Sequence, residues 1–500
     1  MFITTYDLLN PLKKMLTKTT ATIAVVIAII ATAAIVPTIT GQSPSSQSIT
    51  INCNGITLAL NSDPNSQLSW LHTQGQYIEN SEGDMVILRG ANVEGYEIGA
   101  LGTHSEADYS QMASWGFNVV RLPVAWSYIE PSPGVYNMAY FQYIDQDIEW
   151  AQQNGLYVIL DMHQWEWSAY FTYFNGTGNG FPAWACSGYP NSQSGQLQAE
   201  KDFWDGLGPN GTMPSATNLS LEARFINVWK LIASRYGNDS TVAGYDLFNE
   251  PAIGTNSTDG AYLDSILPTF YETVISSIRQ VDPNHIIFWE PRDGDPKSAV
   301  YFVNSTNVVF APHFYNYEDP YSGNIDQLYN RVTEAVSFAA QWDQPIFYGE
   351  CGVALNSVNS TEWVRDLLSV FDQYQLGYAW WSYSKSDEPN MDLCYANGTG
   401  KAGFLQYLDR PYVTQYFDGN VSINATFHAN NSTYTVVENA PQFTNNVFDV
   451  YVPASIYGAE TFKVLCNNGN QWSSCWNPSN RILVVSFTQG SKTAVIIEPT

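Results

Sequence analysis

The chain has 500 residues, of which 45% are hydrophobic, and it contains 16 Trp, 32 Tyr and 24 Phe. This length and composition exclude a disordered or fibrous chain and predict one large globular domain with a smaller companion. Lys and Arg number 20 against 47 Asp and Glu, and the net charge of −27 argues against a nucleic-acid partner, because a phosphate backbone would be repelled.

An uncharged apolar segment follows a basic flank near the start of the chain. Residues 21–40 read ATIAVVIAIIATAAIVPTIT and come after Lys13, Lys14 and Lys18. A span of this length can cross a bilayer, and a basic flank precedes both signal peptides and membrane anchors. We therefore predict that residues 1–48 are a signal peptide or anchor plus linker, and that the protein is extracellular or at the cell surface, with membrane association if the segment is retained.

The cysteines and the Asn-x-Ser/Thr triplets fit an exported protein. The six cysteines have none of the paired spacings of a zinc site, and an exported chain is expected to oxidise them to disulfides. Twelve triplets could accept N-linked glycans. They begin at Asn175, Asn210, Asn218, Asn238, Asn256, Asn304, Asn359, Asn397, Asn420, Asn424, Asn430 and Asn431.

Short β-rich segments alternate with amphipathic segments in the central part of the chain. Eight strands are predicted: VILRGANV from Val86, FNVVRLP from Phe117, LYVILDMH from Leu156, VAGYDLFNE from Val242, HIIFWE from His285, VVFAPHF from Val308, PIFYGE from Pro345 and GYAWWSY from Gly377. Eight parallel strands joined by helices predict a closed (β/α)8 TIM barrel, in which the chemistry lies at the C-terminal ends of the strands. The insertion at residues 164–219 is predicted to wall or cover the cleft.

The pattern changes near Pro411 to short alternating strands without a convincing helix. The segments are YTVVENA, VFDVYVP, TFKVLC, RILVVSF and TAVIIEP. They predict a C-terminal β-sandwich, whereas the strand-like sequence before Val86 is predicted to form the floor of the barrel. The predicted domains are therefore residues 49–408, the catalytic barrel, and residues 409–500, the sandwich.

Two glutamates at the ends of predicted strands form the candidate catalytic pair. Glu250 ends the fourth strand in DLFNEP, and Glu350 ends the seventh in FYGECG. Retaining glycoside hydrolysis needs two carboxylates about 5 Å apart, one neutral to protonate the leaving oxygen and one ionised to attack the anomeric carbon. Glu290, at the end of the fifth strand in FWEP, is a rival that strand position alone does not exclude.

Further polar and aromatic residues follow the same strand ends. Arg and Tyr can keep a carboxylate ionised, His and Asn can hold sugar hydroxyls, and a Trp face can stack on a pyranose ring. The candidate substrate-binding residues are Arg121, His163, Asn249, His313, Tyr315 and Trp381. Structural alternatives are a buried ion pair for Arg121 and core packing for His313 and Trp381. No metal-ligand spacing, phosphate loop or nucleotide fingerprint is present, so neither a metal nor another cofactor is expected.

These motifs, in this order, resemble glycoside hydrolase family 5. They are an Arg after the second strand, DMH after the third, NEP after the fourth, HFY after the sixth, a Glu after the seventh and WWS after the eighth. The resemblance implies a retaining β-glycosidase that hydrolyses O-glycosidic bonds. It also implies that Glu250 is the general acid/base and Glu350 the nucleophile.

Within the family, several stretches are similar to the endoglycoceramidase branch. They are WSYIEPSPGVYN, YVILDMHQ, GNGFPAWAC, YDLFNEP, IIFWEP and, before the sandwich, LDRPYV. The resemblance implies a glycan or glycolipid substrate, cut between the oligosaccharide and the lipid, and we expect a monomer. Two alternatives are an endo-β-1,4-glucanase of the cellulase type and an inactive glycan-binding surface protein.

The sequence departs from this branch where sugar contacts are expected. Trp165 follows DMHQ, where an acidic residue is usual, and the first strand leads into GANVEGYEIG without the usual Lys. Trp165 and Trp167 are predicted to form either an aromatic platform for sugar or lipid, or packing within the insertion. Asp387 and Glu388 after the last strand are expected to be a solvated charge pair, and binding of sugar hydroxyls is the alternative. The substrate therefore stays open between a glycolipid and a glucan.

Overall fold

The computed structural model describes residues 49–53, 56–60, 67–174, 178–253, 257–417, 422–439, 446–458, 462–467, 472–487 and 493–500. The chain divides into two compact units, Met1–Ile49 with Leu60–Asp63, and Thr50–Ala59 with Pro64–Thr500. The first unit lies almost wholly outside the described residues, as does the apolar segment at residues 21–40. Within the described part of the chain, no helix has the length and apolar character needed to cross a membrane.

The predicted strands form one closed parallel sheet. They are β6 (Arg89–Val93), β7 (Val119–Val124), β8 (Tyr157–Met162), β9 (Val242–Asp246), β10 (Ile286–Trp289), β11 (Val308–Phe310), β12 (His313–Tyr315), β13 (Phe347–Gly352) and β14 (Gly377–Tyr383). The order is β11-β10-β9-β8-β7-β6-β14-β13-β12, and a parallel bridge between Phe310 of β11 and Ile346, the residue before β13, closes the sheet. The (β/α)8 fold is confirmed. The sixth predicted strand is split into β11 and β12 near Pro312, which has no backbone N–H for the ladder.

Apolar side chains fill the barrel because both faces of its sheet are covered. Inside it, Val119, Ile159 and Ile286 pack in one buried cluster with Leu71 and Ile78. Leu71 and Ile78 come from the N-terminal strands β3 (Leu71–Gln74) and β4 (Tyr77–Asn80), which therefore floor the barrel as predicted. The polar site consequently lies at the other, C-terminal end.

Helices of very different length connect the barrel strands. They are α1 (Glu106–Ser114), α2 (Trp126–Ile129), α3 (Met138–Gln153), α4 (Ala183–Cys186), α5 (Gln193–Trp204), α6 (Leu221–Tyr236), α7 (Ser257–Ile278), α8 (Ile325–Gln341) and α9 (Ser360–Tyr374). Between β10 and β11 the described chain forms only two 3-10 turns, Arg292–Gly294 and Pro296–Ser298.

The insertion at residues 164–219 is a packed aromatic layer rather than an open loop. Trp167 is buried and stacks on Phe181, with ring centroids 3.8 Å apart. Phe203 of α5 packs edge-on against this pair, and the ring of Trp204 lies tilted beside Trp167. Of the two predictions for Trp167, packing within the insertion is confirmed.

The C-terminal sandwich consists of a seven-stranded and a four-stranded antiparallel sheet. Its strands are β15 (Tyr412–Phe417), β16 (Ser422–His428), β17 (Thr433–Asn439), β18 (Asn446–Tyr451), β19 (Phe462–Cys466), β20 (Trp472–Asn477), β21 (Ile482–Phe487) and β22 (Thr493–Pro499). The larger sheet has the order β20-β21-β18-β15-β5-β4-β3, where β5 is Met85–Val86. One sheet thus continues from the sandwich into the N-terminal strands, on the far side of the boundary drawn from sequence at residue 409.

A buried ion cluster connects the barrel to the sandwich. Arg89 Nη1 lies 2.8 Å from one carboxylate oxygen of Asp372, and Arg410 Nη2 lies 2.6 Å from the other. The Arg89 guanidinium also lies over the ring of Tyr412, the first residue of β15. Because both arginines are buried away from water, Asp372 is needed to balance their positive charges.

The cysteines follow the disulfide prediction only in part. Cys475 is disulfide-bonded. The thiols of Cys186, Cys351 and Cys394 are free and buried, so the expectation of disulfides is wrong for these three. Burial raises the pKa of the Cys351 thiol well above its usual value, which keeps it protonated and unreactive beside Glu350.

Candidate active site

Glu250 and Glu350 face each other at the C-terminal end of the barrel. Glu250 follows β9, and Glu350 lies in β13 opposite His313 of β12. A carboxylate oxygen of Glu250 and one of Glu350 lie within 4.8 Å of each other. This spacing matches that of retaining glycosidases and leaves no room for the water that inverting enzymes place between wider-set carboxylates.

Glu250 is the more accessible of the two carboxylates. Its backbone has a φ of 41°, in the left-handed region, and is held there by two contacts. Its N–H donates to Glu290 Oε2 at 2.7 Å, and its carbonyl accepts from Gln164 Nε2 at 2.9 Å. Burial raises the pKa of Glu250, and the hydrogen bond with His313 opposes this only in part. The group is thus suited to hold a proton.

Glu350 is surrounded by cations and donors. Arg121 Nη1 contacts its Oε1 at 2.9 Å, the Tyr315 hydroxyl donates to its Oε2, and His313 Nδ1 lies 3.4 Å from Oε2. Burial alone would raise the pKa of Glu350, but the charges of His313, Arg121 and His163 and the hydrogen bond from Tyr315 outweigh it, so the pKa is lowered. The group is thus suited to remain ionised.

Arg121 is the buried centre of the charge network. Its guanidinium lies 2.9 to 3.0 Å from carboxylate oxygens of four residues, namely Asp161, Asp246, Glu290 and Glu350. Asp161, Asp246 and Glu290 have oxygens close enough together for a metal ion, but the guanidinium contacts all three. Arg121 has no exposed surface. Arg121 thus positions Glu350 from below, and its role in substrate binding stays a prediction.

Glu290, the rival of the catalytic pair, is also fully buried. Its Oε1 accepts from Arg121, its Oε2 accepts from the backbone of Glu250, and His313 Nε2 lies 3.2 Å away. A carboxylate with 0% exposure and both oxygens engaged cannot meet a sugar. The structure thus separates Glu290, a support for Glu250, from the pair that faces the cleft.

His313 lies between the two glutamates and beneath them. Its Nδ1 lies 2.7 Å from Glu250 Oε1, and the ring has no exposed surface. The surrounding carboxylates outweigh burial and raise the pKa of His313 well above its usual value. His313 thus contacts both carboxylates, and its contact with substrate stays a prediction.

The other predicted binding residues line the floor. Asn249 accepts from Arg121 through Oδ1 and donates to the Gln164 carbonyl, and only 1% of its surface is exposed. His163 stacks on Trp381, with ring centroids 5.2 Å apart, and Asp161 outweighs burial to raise the pKa of His163 to about 9. Trp381 is partly exposed and offers a flat apolar face to a sugar ring.

Comparison with known proteins agrees with this geometry. The model of the family described as cellulase (glycosyl hydrolase family 5) matches residues 80–387. The chain belongs to glycosyl hydrolase family 5. It is therefore a glycoside hydrolase that acts on O-glycosyl compounds.

Relatives of this family 5 chain differ in substrate. An endoglucanase of Paenibacillus polymyxa is 24% identical over 65% of this chain and 82% of its own length. An endoglycoceramidase of Cyanea nozakii is 27% identical over 40% of this chain and 44% of its own length. The solved complex of endo-glycoceramidase II from Rhodococcus sp. with ganglioside GM3 has a TM-score of 0.67 and 21% identity, and covers 85% of this chain and 100% of that one. The structural likeness establishes the fold.

Exposed aromatic residues surround the acid/base side of the family 5 site. Tyr317 is 65% exposed and stacks on Tyr315, with ring centroids 4.9 Å apart. Trp165 is 47% exposed and directly follows Gln164, which holds the backbone of Glu250. Trp165 thus fits the predicted platform. Tyr317 was missed, although its spacing two residues after Tyr315 places it at the mouth of the sixth strand.

Acidic residues adjoin the opposite, nucleophile side. Ser382, next to Trp381, donates a hydrogen bond of 2.8 Å to Glu94 and lies 3.3 Å from Asp392. Neither acid was singled out from sequence, because Asp392 comes from a loop, and Glu94 was noted only as part of a segment that lacks Lys. Asp387 and Glu388 are exposed, as predicted for a solvated pair.

Proposed function

We propose that the chain is a retaining β-glycosidase in which Glu350 is the nucleophile and Glu250 the general acid/base. Glu350 attacks the anomeric carbon while Glu250 gives its proton to the leaving oxygen, which forms a glycosyl ester on Glu350. Glu250, now ionised, takes a proton from a water molecule that attacks the same carbon and frees Glu350. The observation that carries this assignment is the close pair with pKa values shifted in opposite directions.

We propose further that the leaving group is the lipid part of a glycolipid. The acid/base protonates the leaving oxygen, so the leaving group must lie on the Glu250 side of the cleft. Trp165 and Tyr317 lie on that side, and their exposed apolar rings suit a lipid aglycone. Similarity to the endoglycoceramidases of Cyanea nozakii and Rhodococcus sp., the latter solved with a ganglioside, supports this choice.

An endoglucanase is the second candidate. The same exposed rings could stack on glucosyl units of a polysaccharide, and the relative from Paenibacillus polymyxa is an endoglucanase. The two candidates share the catalytic pair and differ only in what occupies the Glu250 side. A substrate panel therefore decides between them.

We also propose that the protein is exported and works as a monomer at the cell surface or outside the cell. The basic flank and the apolar segment at residues 21–40 support export, and the glycosylation triplets fit it. N-terminal sequencing of the protein recovered from medium and from membranes tests the proposal. A mature chain that starts after residue 40 indicates cleavage, whereas an intact N-terminus in the cytosol contradicts export.

The first experiment follows the products formed from β-glucosylated lipids and soluble β-glucans. Wild type, Glu250→Gln and Glu350→Gln are compared, with the exposed Glu149→Gln as matched control, and NMR reports the anomeric configuration. Release of lipid with retention, lost in both active-site variants but not in the control, is expected. Cleavage of glucan alone would move the chain to the endoglucanases, and inversion would refute the assignment of the two carboxylates.

A further inference from the structure

Two strained segments of the backbone lie next to each other on the acid/base side of the site. Glu250 has a φ of 41°, and Glu166 and Trp167, in the insertion, have φ values of 53° and 64°. Residues other than glycine adopt this left-handed region at a cost in free energy, and they stay there only where neighbouring groups hold them. The groups that hold the two segments are therefore part of the geometry of the acid/base.

The side-chain amide of Gln164 holds both segments. Its Nε2 donates to the carbonyls of Asn249 at 3.0 Å and Glu250 at 2.9 Å, and its Oε1 accepts from the backbone N–H of Trp167 at 3.0 Å. The Asn249 side chain returns a hydrogen bond of 3.0 Å to the Gln164 carbonyl. Two carbonyls on one side and an N–H on the other determine which way the amide faces. One side chain thus links the segment after β9 to the turn that contains Trp165.

Gln164 is enclosed by protein. Only 6% of the residue is exposed, and both N–H groups of the amide are engaged by backbone carbonyls. Behind it lies Gly180, whose φ is 107°, and a Cβ at that position would come within 2.5 Å of Gln164 Cβ. The glycine thus allows a close approach that any larger residue would prevent. The amide therefore acts through Glu250 rather than by donating to a sugar.

The backbone of Glu250 is consequently held at both of its polar groups. Glu290 Oε2 accepts from its N–H at 2.7 Å, while Gln164 donates to its carbonyl. The side chain is less constrained, because it is 25% exposed and has His313 Nδ1, 2.7 Å from Oε1, as its charged partner. General acid catalysis needs the carboxyl within hydrogen-bond reach of the leaving oxygen, and a misplacement of about 1 Å can lower the rate about 100-fold. The position of the backbone therefore decides whether the proton reaches that oxygen.

We propose that Gln164 is a positioning residue for proton transfer by Glu250. Its amide holds the Glu250 backbone in the turn from which the carboxyl reaches the leaving oxygen, and it joins this turn to the one that carries Trp165. The inference rests on the proposed function and adds a residue to the machinery of its acid/base. Without the amide, Glu350 can still attack, but the leaving oxygen and, later, the attacking water exchange protons with a misplaced carboxyl.

The test compares leaving groups of different acidity on one sugar. Phenol release is measured from dinitrophenyl, nitrophenyl and phenyl β-cellobioside by wild type, Gln164→Met and Glu250→Gln. Methionine is similar in size to glutamine but cannot make the three hydrogen bonds of the amide. Gln164→Met is expected to lower kcat/KM about 10-fold to 100-fold on the phenyl glycoside. On the dinitrophenyl glycoside, whose leaving group departs without a proton, kcat/KM is expected to change by less than about threefold.

A second readout follows the glycosyl ester on Glu350. In Gln164→Met the general base is misplaced, so hydrolysis of this ester is slowed, and kcat and KM on the dinitrophenyl glycoside are expected to fall together. Azide attacks the anomeric carbon without a base and is expected to raise kcat again. The carbon–nitrogen bond forms, the ester bond breaks with its electron pair returning to the Glu350 carboxylate, and NMR detects the β-glycosyl azide. A general loss of folded enzyme would produce neither effect.

Two further variants separate positioning from packing. Gln344 is also a buried glutamine of the barrel, but its amide binds Trp289 Nε1 and the Val303 carbonyl, neither of which belongs to the charge network. Gln344→Met, the matched control, is expected to change kcat/KM by the same factor on all three glycosides. Gln164→Glu keeps the shape of the side chain and donates at most one hydrogen bond where the amide donates two. It is expected to show the same dependence on the leaving group as Gln164→Met.

Three results would overturn the inference. They are equal losses on the phenyl and dinitrophenyl glycosides in both Gln164 variants, no loss in either variant, and a leaving-group dependence of the same size in Gln344→Met. Glu250→Gln serves as the reference for the proposed function. If it shows no dependence on the leaving group, the assignment of the acid/base itself fails. If it shows the dependence and the Gln164 variants do not, only the inference fails.

Discussion

Glu350 and Glu250 lie side by side, but their surroundings differ in burial and in charge. Glu350 is 5% exposed and receives Arg121, Tyr315 and His313, whereas the side chain of Glu250 is 25% exposed and has His313 as its charged partner. Burial without enough opposing charge favours the protonated form, and opposing charge favours the ionised form. The neighbours of each glutamate thus decide whether it acts as nucleophile or as acid. Each prediction below tests this dependence on the surroundings.

The largest expected effect distinguishes the nucleophile from the acid/base by comparing substrates with different leaving groups. Glu350→Gln removes the attacking atom and is expected to lower kcat on the order of 10⁴-fold on every substrate. Glu250→Gln is expected to be as severe on a lipid glycoside. On a dinitrophenyl glycoside it is expected to leave kcat/KM nearly unchanged, because that leaving group departs without a proton, and to lower kcat, because hydrolysis of the glycosyl ester on Glu350 still lacks its general base. Steady-state kinetics on both substrates checks this. A leaving-group dependence in Glu350→Gln instead would exchange the two roles.

The second prediction concerns the loss of one hydrogen bond to Glu350. Tyr315→Phe removes a donor to its carboxylate, and kcat is expected to fall about 10-fold to 100-fold. Because the lost hydrogen bond stabilised the ionised form, the pKa of Glu350 rises, and the acidic limb of the pH profile moves to higher pH. Tyr317→Phe is the control, since Tyr317 stacks on Tyr315 without contacting Glu350 through a hydrogen bond in the described structure. A shift of equal size in that control would contradict the assignment.

The third prediction concerns the pH profile of the wild type. Glu350 must be ionised, and its lowered pKa means that activity is lost only as pH falls through a value below that of an ordinary glutamate. Glu250 must be protonated, and its raised pKa means that activity is lost as pH rises through a value above the ordinary one. A bell-shaped kcat/KM profile is therefore expected, with its alkaline limb absent for a dinitrophenyl glycoside in Glu250→Gln.

Sequence reasoning located the fold and the pair because both depend on local pattern. Buried parallel strands read as short apolar runs, and the polar residue that ends each run lies at the catalytic rim. How deeply each residue is buried could not be predicted from these patterns. Arg121 and His313 belong to the same motifs as the glutamates, yet both lie under the site, since their partners Asp246 and Glu290 come from other strands.

Several of the parts that were missed have no strong local signal. The strands β16 and β20 contain Ser, Asn and Thr at many positions, so they lack clear alternation, and their pairing is decided by neighbours far along the chain. Glu94 and Asp392 come together only because Ser382 lies between them. Sequence spacing carries no information about such a contact across the barrel.

The smallest expected effect on catalysis comes from the ion cluster between barrel and sandwich. Asp372→Asn leaves Arg89 and Arg410 buried without their carboxylate and is expected to cost about 3 kcal/mol of stability, with kcat unchanged at low temperature. Thermal unfolding and residual activity are measured together. Asp205→Asn, which breaks the exposed pair with Lys201, is the matched control and is expected to change stability by less than about 1 kcal/mol. A loss of kcat in folded Asp372→Asn would show that the sandwich influences the catalytic pair, and the difference between Glu350 and Glu250 would then not be set by their neighbours alone.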